Sequence, residues 1–246
     1  MLVQLTERLP SVDPPCIELK PHNIVPEVIF VDDNSQDGSV EEVKKLQDAK
    51  YDVRIIVRTT ERGLSSAVLR GFKEASHEVL VCMDADLQHD PKYLPALVGP
   101  IIANTADFTV GSRHVGGGGI EGWSLHRKLL SWGATLAASP LVKCSDPMSG
   151  FFSLRKSTLN RAEVLNPLGY KIGLELMVRC KCTRIKEIPI VFKDRELGES
   201  KLTMKTNILY LIHLLNLYAA AKPQYLLVLL LIVLAIIVII FRRFVK

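Results

Sequence analysis

Four short apolar runs alternate with helical patterns over the first half of the chain, and this alternation constrains the fold more than any other feature. The runs cover residues 28–31, 53–57, 79–83 and 108–111, and they are rich in Val and Ile. Short, uninterrupted apolar runs of this kind are typical of buried strands. Because helical patterns separate the runs, the sequence predicts an α/β fold: a mainly parallel sheet with helices on both faces.

An acidic segment, residues 83–91, follows the third run directly. Asp84 and Asp86 stand two residues apart, so their side chains point to one face of an extended chain. They also lie at the carboxyl end of a predicted strand, where open α/β sheets bind ligands. Two neighbouring carboxylates repel each other, and Mg²⁺ or Mn²⁺ relieves that repulsion while keeping positions open for substrate phosphates. Because Gln88 can add a neutral oxygen, we predict a metal site at Asp84, Asp86 and Gln88; the alternative is a solvated acidic turn.

A second acidic loop follows residue 31. Asp33, Ser35, Asp37 and Gly38 imitate the first half of an EF-hand loop, but Lys44 stands where such loops carry Glu, and a strand precedes the loop instead of a helix. We therefore expect these carboxylates to accept hydrogen bonds from the ribose or base of a nucleoside, as acidic residues do in dinucleotide-binding folds.

A glycine-rich segment, residues 117–122, formally fits the dinucleotide pattern G-x-G-x-x-G. It lies several residues past its strand, and no second strand ending in an acid follows at the right distance. Adjacent glycines leave the backbone free to move, so we expect a mobile loop that closes over a ligand.

Charge and cysteine content narrow the possible functions. The net charge of +5 suits an anionic ligand or a membrane surface, and no basic run with interleaved aromatics indicates nucleic acid. The five cysteines are scattered and form no zinc pattern, which favours a reduced, cytosol-facing compartment. Residues 1–9, which include Glu7 and Arg8, resemble a short helix better than a secretory signal.

The last part of the chain is apolar. Tyr225 to Phe241 is a run of 17 apolar residues, which spans about 25 Å as a helix and predicts a single transmembrane segment, with a buried globular helix as the alternative. Residues 207–221 precede it and are also largely apolar. Polar side chains recur there at a spacing of three, which predicts a polar stripe on a helix at the membrane interface. The members of this stripe are Asn207, Tyr210, His213 and Asn216.

Five motifs stand in a fixed order along the chain: Val31-Asp32-Asp33-Asn34-Ser35, Asp84-Ala85-Asp86-Leu87-Gln88, Gly111-Ser112-Arg113, Ser149-Gly150-Phe151-Phe152 and Gly198-Glu199-Ser200-Lys201-Leu202. In this order they resemble the dolichyl-phosphate mannosyltransferases, a group of family 2 glycosyltransferases with the GT-A fold. The resemblance extends from about residue 28 to residue 205. It implies transfer of mannose from GDP-mannose to dolichyl phosphate, with inversion, on the cytosolic side of the endoplasmic reticulum membrane. The product, dolichyl β-D-mannosyl phosphate, would serve glycosylation and GPI-anchor pathways.

The resemblance also implies roles for individual residues. Asp86 with Gln88 would hold the metal, and we assign the chemistry to Asp84, Asp86, Arg113 and Arg127. It implies that Val31 and Asp33 contact the nucleoside, and that Asp84, Ala85 and Asp86 contact the diphosphate sugar. The residues that it implies for the nucleotide-sugar phosphates or the acceptor are Arg113, Arg195 and Lys201. We expect the last two to form a cationic clamp around Gly198.

One departure from the group concerns the N-terminus. Members begin with a strand that ends in a Pro-x-Tyr-x-Glu-like segment, and nothing here matches it. We therefore expect a GT-A domain over residues 1–205 that lacks its first, central strand, followed by an interfacial helix at 206–222 and an anchor at 223–246. Accessory subunits are possible but not required by the sequence. The alternatives are another polyprenyl-phosphate sugar transferase, using UDP-glucose for example, and a truncated, non-catalytic membrane-tethered subunit.

The expected chemistry agrees with the residue types. A phosphate monoester already carries a charge of about −1.5 to −2 at neutral pH, so an acceptor of this class needs no general base. Catalysis would then depend on positioning and on charge stabilisation of the departing diphosphate.

Overall fold

A seven-stranded sheet forms the centre of the protein, which we describe from a computed structural model of residues 2–4, 16–86, 88–166, 168–192 and 204–226. Its strands stand in the order β3-β2-β1-β4-β7-β5-β8, and β6 pairs with β9 in a separate two-stranded sheet. The strands are β1 (Leu2–Gln4), β2 (Val28–Asp32), β3 (Val53–Val57), β4 (Val79–Asp84), β5 (Phe108–Ser112), β6 (Gly119–Ile120), β7 (Phe152–Arg155), β8 (Ile185–Pro189) and β9 (Val191–Phe192). Every pair is parallel except those that β7 makes with β4 and β5, which are antiparallel.

Helices cover both faces of the sheet, as the alternation of strands and helices predicts. They are α1 (Cys16–Leu19), α2 (Ser39–Asp48), α3 (Leu64–Glu74), α4 (Leu94–Ile102), α5 (Leu125–Ala138), α6 (Lys156–Leu159), α7 (Ile172–Arg179) and α8 (Met204–Ala221). Successive strand residues enter opposite faces. Ile29 and Val31 of β2 belong to the cluster that includes α3, α7 and α8, whereas Val28 and Phe30 belong to the cluster that includes α2 and α4. Burial on both faces explains why β2 is apolar from Val28 to Val31.

The centre of the sheet corrects our expectation for the N-terminus. Residues 2–4 form a strand instead of a helix, and this strand occupies the central position that we expected to be empty. Leu2 pairs with Ile29 of β2 and with Cys82 of β4, so β1 joins the two halves of the sheet. The physical reason is that β2 and β4 each present backbone donors and acceptors inside the protein, and a short extended segment between them pairs with both.

Part of the polar stripe of α8 packs against the protein instead of facing outward, although Asn207 is exposed and Asn216 is half-buried. Tyr210 and His213 are buried, and the Tyr210 hydroxyl donates a hydrogen bond to the Ala134 carbonyl of α5 at 2.7 Å. His213 Nε2 lies 2.7 Å from Glu175 Oε2 of α7, and both side chains are almost completely buried. Burial raises the pKa of Glu175, but the hydrogen bond from His213 and other contacts outweigh that effect and leave the pKa lowered. The polar residues therefore dock α8 onto the domain.

Large apolar side chains are exposed on α8 and on α5. We call these exposed side chains together the apolar face. Its large exposed side chains are Leu125, Leu129, Leu130, Trp132 and Leu136 of α5 and Ile208, Leu211, Ile212 and Leu215 of α8. The Tyr210 and Tyr218 hydroxyls donate hydrogen bonds to carbonyls of α5, so the two helices that carry the apolar face are in contact.

No helix in the described part of the chain is long and apolar enough to cross a membrane. The transmembrane segment that the sequence predicts at Tyr225 to Phe241 falls almost entirely on residues 227–246, which lie outside the described residues. Helix α8 ends at Ala221, immediately before the Lys222-Pro223 pair that separates the two predicted segments.

Candidate active site

Four chain segments meet at one edge of the sheet. Three of them follow the carboxyl ends of β2, β4 and β5, as expected for a parallel arrangement. The fourth, residues 145–151, precedes β7. Because β7 is antiparallel to its neighbours, the segment before it reaches the same edge as the segments that follow β4 and β5. A β-carbon built on Gly150 would lie 3.5 Å from Asp84 Oδ2. The motif at 149–152 therefore directly adjoins residues 84–86, which we call the acidic turn.

The acidic turn is fixed by the buried residues that follow it. Asp84 is the last residue of β4, and its backbone N–H donates to His89 Nδ1 at 3.0 Å. His89 stacks on Phe151 with ring centroids 4.9 Å apart. The N–H of Gln88 donates to Asp86 Oδ1 at 3.2 Å. These contacts hold the two carboxylates at the strand end, partly exposed, while Gln88 and His89 are buried.

The donor set of this turn suits a hard divalent cation. Asp84 and Asp86 supply carboxylate oxygens, and Gln88, two residues after Asp86, has an amide oxygen. Among the described residues, no group of three or more His, Cys, Asp and Glu side chains could hold a metal ion. In phosphate-binding sites Mg²⁺ takes one or two carboxylates and keeps other positions for oxygens of the ligand, which is the number of carboxylates that this turn offers. Ala85 lies between the aspartates and packs against the apolar cluster that includes α2 and α4.

Arg113 forms a buried ion pair with Asp146. Its Nε and Nη2 atoms donate to the two carboxylate oxygens, each at 2.7 Å, and its backbone N–H donates to Oδ2 at 2.9 Å. Burial raises the pKa of Asp146, but the hydrogen bonds and charge of Arg113 more than offset it, so the pKa is lowered. Bidentate pairs of this kind fix both geometry and charge. The arginine that the sequence assigns to phosphate thus has a carboxylate partner within the protein.

Arg127 and Arg113 contact the same aromatic ring. Arg127 is in the first turn of α5, where Ser124 Oγ accepts a hydrogen bond from its backbone N–H at 3.4 Å. The Arg127 guanidinium carbon lies 4.0 Å from the centroid of the Trp123 ring, and that of Arg113 lies 5.2 Å from the same ring. Trp123 was not among the residues that we selected from the sequence.

Lys171 is a second residue that the sequence analysis missed. It precedes α7, and its Nζ donates to the Met148 carbonyl at 2.9 Å. Burial lowers the pKa of Lys171 to about 8, the charges of Arg113 and Arg127 act in the same direction, and those of Asp146 and Asp84 oppose them. The only sequence signal was a single lysine before an apolar helix.

The segment after β2 is less open than expected for a nucleoside contact. Val31 is completely buried, backbone included, so none of its atoms is exposed to a ligand. Asp33 Oδ1 accepts a hydrogen bond from Arg58 Nε at 2.7 Å, and Oδ2 accepts one from the Gly63 N–H at 2.8 Å, just before α3. Asp37 accepts a hydrogen bond from the Ser39 N–H at the start of α2. Both carboxylates thus have structural partners.

The expected clamp lies outside the described residues, because Arg195 and Lys201 fall within residues 193–203. Their roles therefore stay predictions.

Part of the glycine-rich loop forms a strand. Gly119 and Ile120 form β6, which pairs with β9, and the Gly119 N–H donates to the Ile190 carbonyl at 3.0 Å. A β-carbon on Gly118 would lie 2.6 Å from the Ser112 carbonyl oxygen. Glycine is thus needed at this residue for close backbone approach, and closure of the loop over a ligand stays a prediction.

Replacing Gly118 by alanine is therefore expected to destabilise the protein. The new methyl group would force the loop away from Ser112, at a cost of about 1–3 kcal/mol in the free energy of unfolding. Gly116→Ala is the matched control, since a β-carbon at that residue would meet no atom within 4 Å. Thermal unfolding of the two variants tests the close approach, and equal melting temperatures would contradict it.

Comparison with known proteins places the chain in context. Residues 20–162 match the family model described as Glycosyl transferase family 2. A dolichol-phosphate mannosyltransferase of Saccharomyces cerevisiae is 50% identical over 200 residues, covering 78% of this chain and 74% of the relative. Proteins of the same name are 49% identical in Mycosarcoma maydis and 47% identical in Pyrococcus furiosus. The chain spans 66% of the length of the former and 54% of the length of the latter.

Solved structures agree with the fold. Glucosyl-3-phosphoglycerate synthase from Mycobacterium tuberculosis has a TM-score of 0.59 and 16% identity, covering 89% of this chain and 78% of that one. The same enzyme in complex with Mn²⁺, uridine-diphosphate and phosphoglyceric acid has a TM-score of 0.59 and 18% identity, covering 90% of this chain and 78% of that one. At this level of identity the similarity concerns the fold alone.

Proposed function

The chain belongs to glycosyl transferase family 2, among the dolichol-phosphate mannosyltransferases, and on this basis we propose that it transfers mannose from GDP-mannose to dolichyl phosphate. The observation that carries the proposal is the meeting of the acidic turn with Arg113, Arg127 and Lys171 at one edge of the sheet. This arrangement offers carboxylates for a metal and cations for phosphate groups in one place. The identity of about half of the aligned residues to the named relatives supports the choice of sugar and acceptor.

We assign the diphosphate end of the donor to the acidic turn. Asp84, Asp86 and Gln88 would hold Mg²⁺ or Mn²⁺, which would neutralise charge on the departing nucleoside diphosphate. The presence of Mn²⁺ with UDP-glucose in a solved structure of similar fold supports this assignment. The Asp33 carboxylate, just after β2, would then face the nucleoside, with Arg58 keeping it in place.

The acceptor would react without a base. One oxygen of its phosphate forms a bond to the anomeric carbon from the side opposite the leaving group, and the bond to the diphosphate breaks with its electron pair, so the configuration inverts. Because the attacking oxygen is already anionic, no proton has to be removed. Arg113, Arg127 and Lys171 would hold this anion close to the donor, and Asp146 would keep the Arg113 fork in position.

A donor panel tests the reaction. Full-length protein in detergent micelles with dolichyl phosphate should form a mannosylated lipid from GDP-mannose, lose activity with EDTA, and regain it with Mg²⁺ or Mn²⁺. Preference for UDP-glucose would indicate another polyprenyl-phosphate sugar transferase. Binding of both substrates without turnover would indicate a non-catalytic subunit.

We further propose that the apolar face rests on the membrane of the endoplasmic reticulum, with residues 223–246 as a single anchor and the catalytic domain in the cytosol. A lipid acceptor keeps its phosphate at the membrane surface, so the site has to be held there, which raises the effective concentration of the acceptor. The exposed Trp132 and leucines of α5 and α8 have the composition of an interfacial surface.

Changing Leu211 and Leu215 together to serine tests the apolar face. Losing two leucines from the membrane contact should raise the apparent KM for dolichyl phosphate in vesicles at least about tenfold and leave the KM for GDP-mannose unchanged. Val25→Ser is the control, because Val25 is 81% exposed but lies outside α5 and α8. Unchanged values of both KM in the double variant would rule out this surface as the contact.

A further inference from the structure

Two guanidinium groups share one aromatic ring at the candidate site. The Cζ atoms of Arg127 and Arg113 lie 4.0 Å and 5.2 Å from the centroid of the Trp123 ring. A cation within about 6 Å of an aromatic centroid is attracted to the ring face, and the indole is the strongest of the aromatic partners. Trp123 therefore offsets part of the repulsion between two neighbouring positive charges.

Trp123 is itself fixed by contacts that lead to the acidic turn. Its ring packs edge-on against Phe192 of β9, with centroids 5.8 Å apart and an angle of 86°. Phe192 packs in the same manner against His89 at 5.6 Å, and His89 accepts the hydrogen bond from the Asp84 N–H. A row of packed rings thus connects the two arginines with the carboxylates of the acidic turn, and it fixes their positions relative to each other.

The indole N–H of Trp123 indicates what these groups bind. The Nε1 atom is buried and has no hydrogen-bond acceptor among the described residues. A buried donor without an acceptor is costly, so it points to an acceptor that a ligand supplies. Because two guanidinium groups lie on the same ring, the matching acceptor is an anionic oxygen such as that of a phosphate.

We propose that Trp123 binds and positions the phosphate of the lipid acceptor, holding Arg113 and Arg127 as a pair and donating its N–H to a phosphate oxygen. This inference rests on the proposed function. The choice of the acceptor over the donor follows from the position of Trp123, two residues before α5. The first turns of that helix carry Leu125 and Leu129 of the apolar face, so the anion that arrives at Trp123 is the head group of a lipid.

Steady-state kinetics of the full-length protein test the proposal. Trp123→Leu, which removes both the ring and the N–H, is expected to raise the apparent KM for dolichyl phosphate about tenfold or more. Trp123→Phe keeps a ring, so its apparent KM for dolichyl phosphate is expected to lie between those of the leucine variant and the wild type. The KM for GDP-mannose should stay within about twofold in both variants.

Direct binding separates this proposal from the proposed function. Citronellyl phosphate, a short isoprenyl phosphate, should bind the wild type more tightly than inorganic phosphate, and Trp123→Phe and Trp123→Leu should weaken it progressively. If inorganic phosphate binds equally well, the site takes a free anion rather than a lipid head group. This measurement needs no turnover, so it decides the role of Trp123 even if the wild type transfers no mannose.

Two results would overturn the role of Trp123. One is an unchanged affinity for citronellyl phosphate in a leucine variant that keeps its melting temperature. The other is an equal rise in both KM values, which would indicate general damage to the site. If the leucine variant does not fold, the phenylalanine variant decides, and wild-type affinity in that variant would refute the hydrogen bond from the indole.

Discussion

Asp86→Asn is expected to lower kcat/KM for mannose transfer by at least about 10²–10³, because it removes a charge that acts on the developing diphosphate anion. Asparagine keeps an oxygen at the position of Oδ1, which accepts the Gln88 N–H, so the turn should stay intact. The loss should be accompanied by weaker GDP binding that no longer depends on Mn²⁺. Titrations of GDP with and without Mn²⁺ provide that measurement.

The control for this variant is Asp48→Asn, the same change at an exposed position at the end of α2. It should retain full activity. Metal-dependent GDP binding in Asp86→Asn equal to that of the wild type would remove Asp86 from the metal site, whatever the loss of activity.

The second large effect is expected at Asp146. Asp146→Asn leaves the Arg113 guanidinium buried without a charged partner, which typically costs about 3–5 kcal/mol. For a chain of this length, each kcal/mol lowers the melting temperature by about 2–4 °C. Glu42→Gln breaks the exposed pair with Lys45 and serves as the control, with an expected cost below about 1 kcal/mol.

Two further measurements test the assignment of this effect to the ion pair. In the double variant Arg113→Met/Asp146→Leu, no unpaired charge is left, so it should be less destabilised than Asp146→Asn. The pKa of Asp146 is lowered in the folded protein, so its contribution is complete above the ordinary value of 3.8 and disappears as the pH falls through the lowered pKa. The stability difference between the wild type and Asp146→Asn should therefore vanish at sufficiently acidic pH. A stability difference that does not change with pH would contradict the assignment of this effect to the ion pair between Arg113 and Asp146.

The parallel part of the sheet could be predicted because its signal is local. The predicted runs at 28–31, 53–57, 79–83 and 108–111 correspond to β2, β3, β4 and β5 within one residue at each end. Burial on both faces requires a continuous apolar run, which any window of sequence reveals. The direction of β7 has no such local signal, because it depends on partners about 40 to 75 positions away.

The remaining errors share a physical cause. The spacing of Tyr210 and His213 correctly groups them on one side of a helix, but spacing alone does not say whether that side meets solvent or protein. A glycine at position 118 is compatible with a flexible backbone or with close approach to another backbone segment. Only the position of the Ser112 carbonyl in the folded protein shows that the close approach is present. Trp123 and Lys171 belong to no motif, since their importance comes from neighbours that the fold brings together.

The docking of α8 has a consequence for biosynthesis. His213 of α8 forms a hydrogen bond with Glu175 of α7, and the hydroxyls of Tyr210 and Tyr218 donate hydrogen bonds to carbonyls of α5. Helices α5 and α7 are synthesised before α8, so these contacts form only after α8 has been made. A nascent chain that has not yet produced α8 leaves a carboxylate and an apolar cluster uncovered, a state open to misfolding. Tyr218 precedes the proposed anchor by only a few residues. If the proposed anchor exists, closure of the catalytic domain and insertion of the anchor would fall at nearly the same moment of translation.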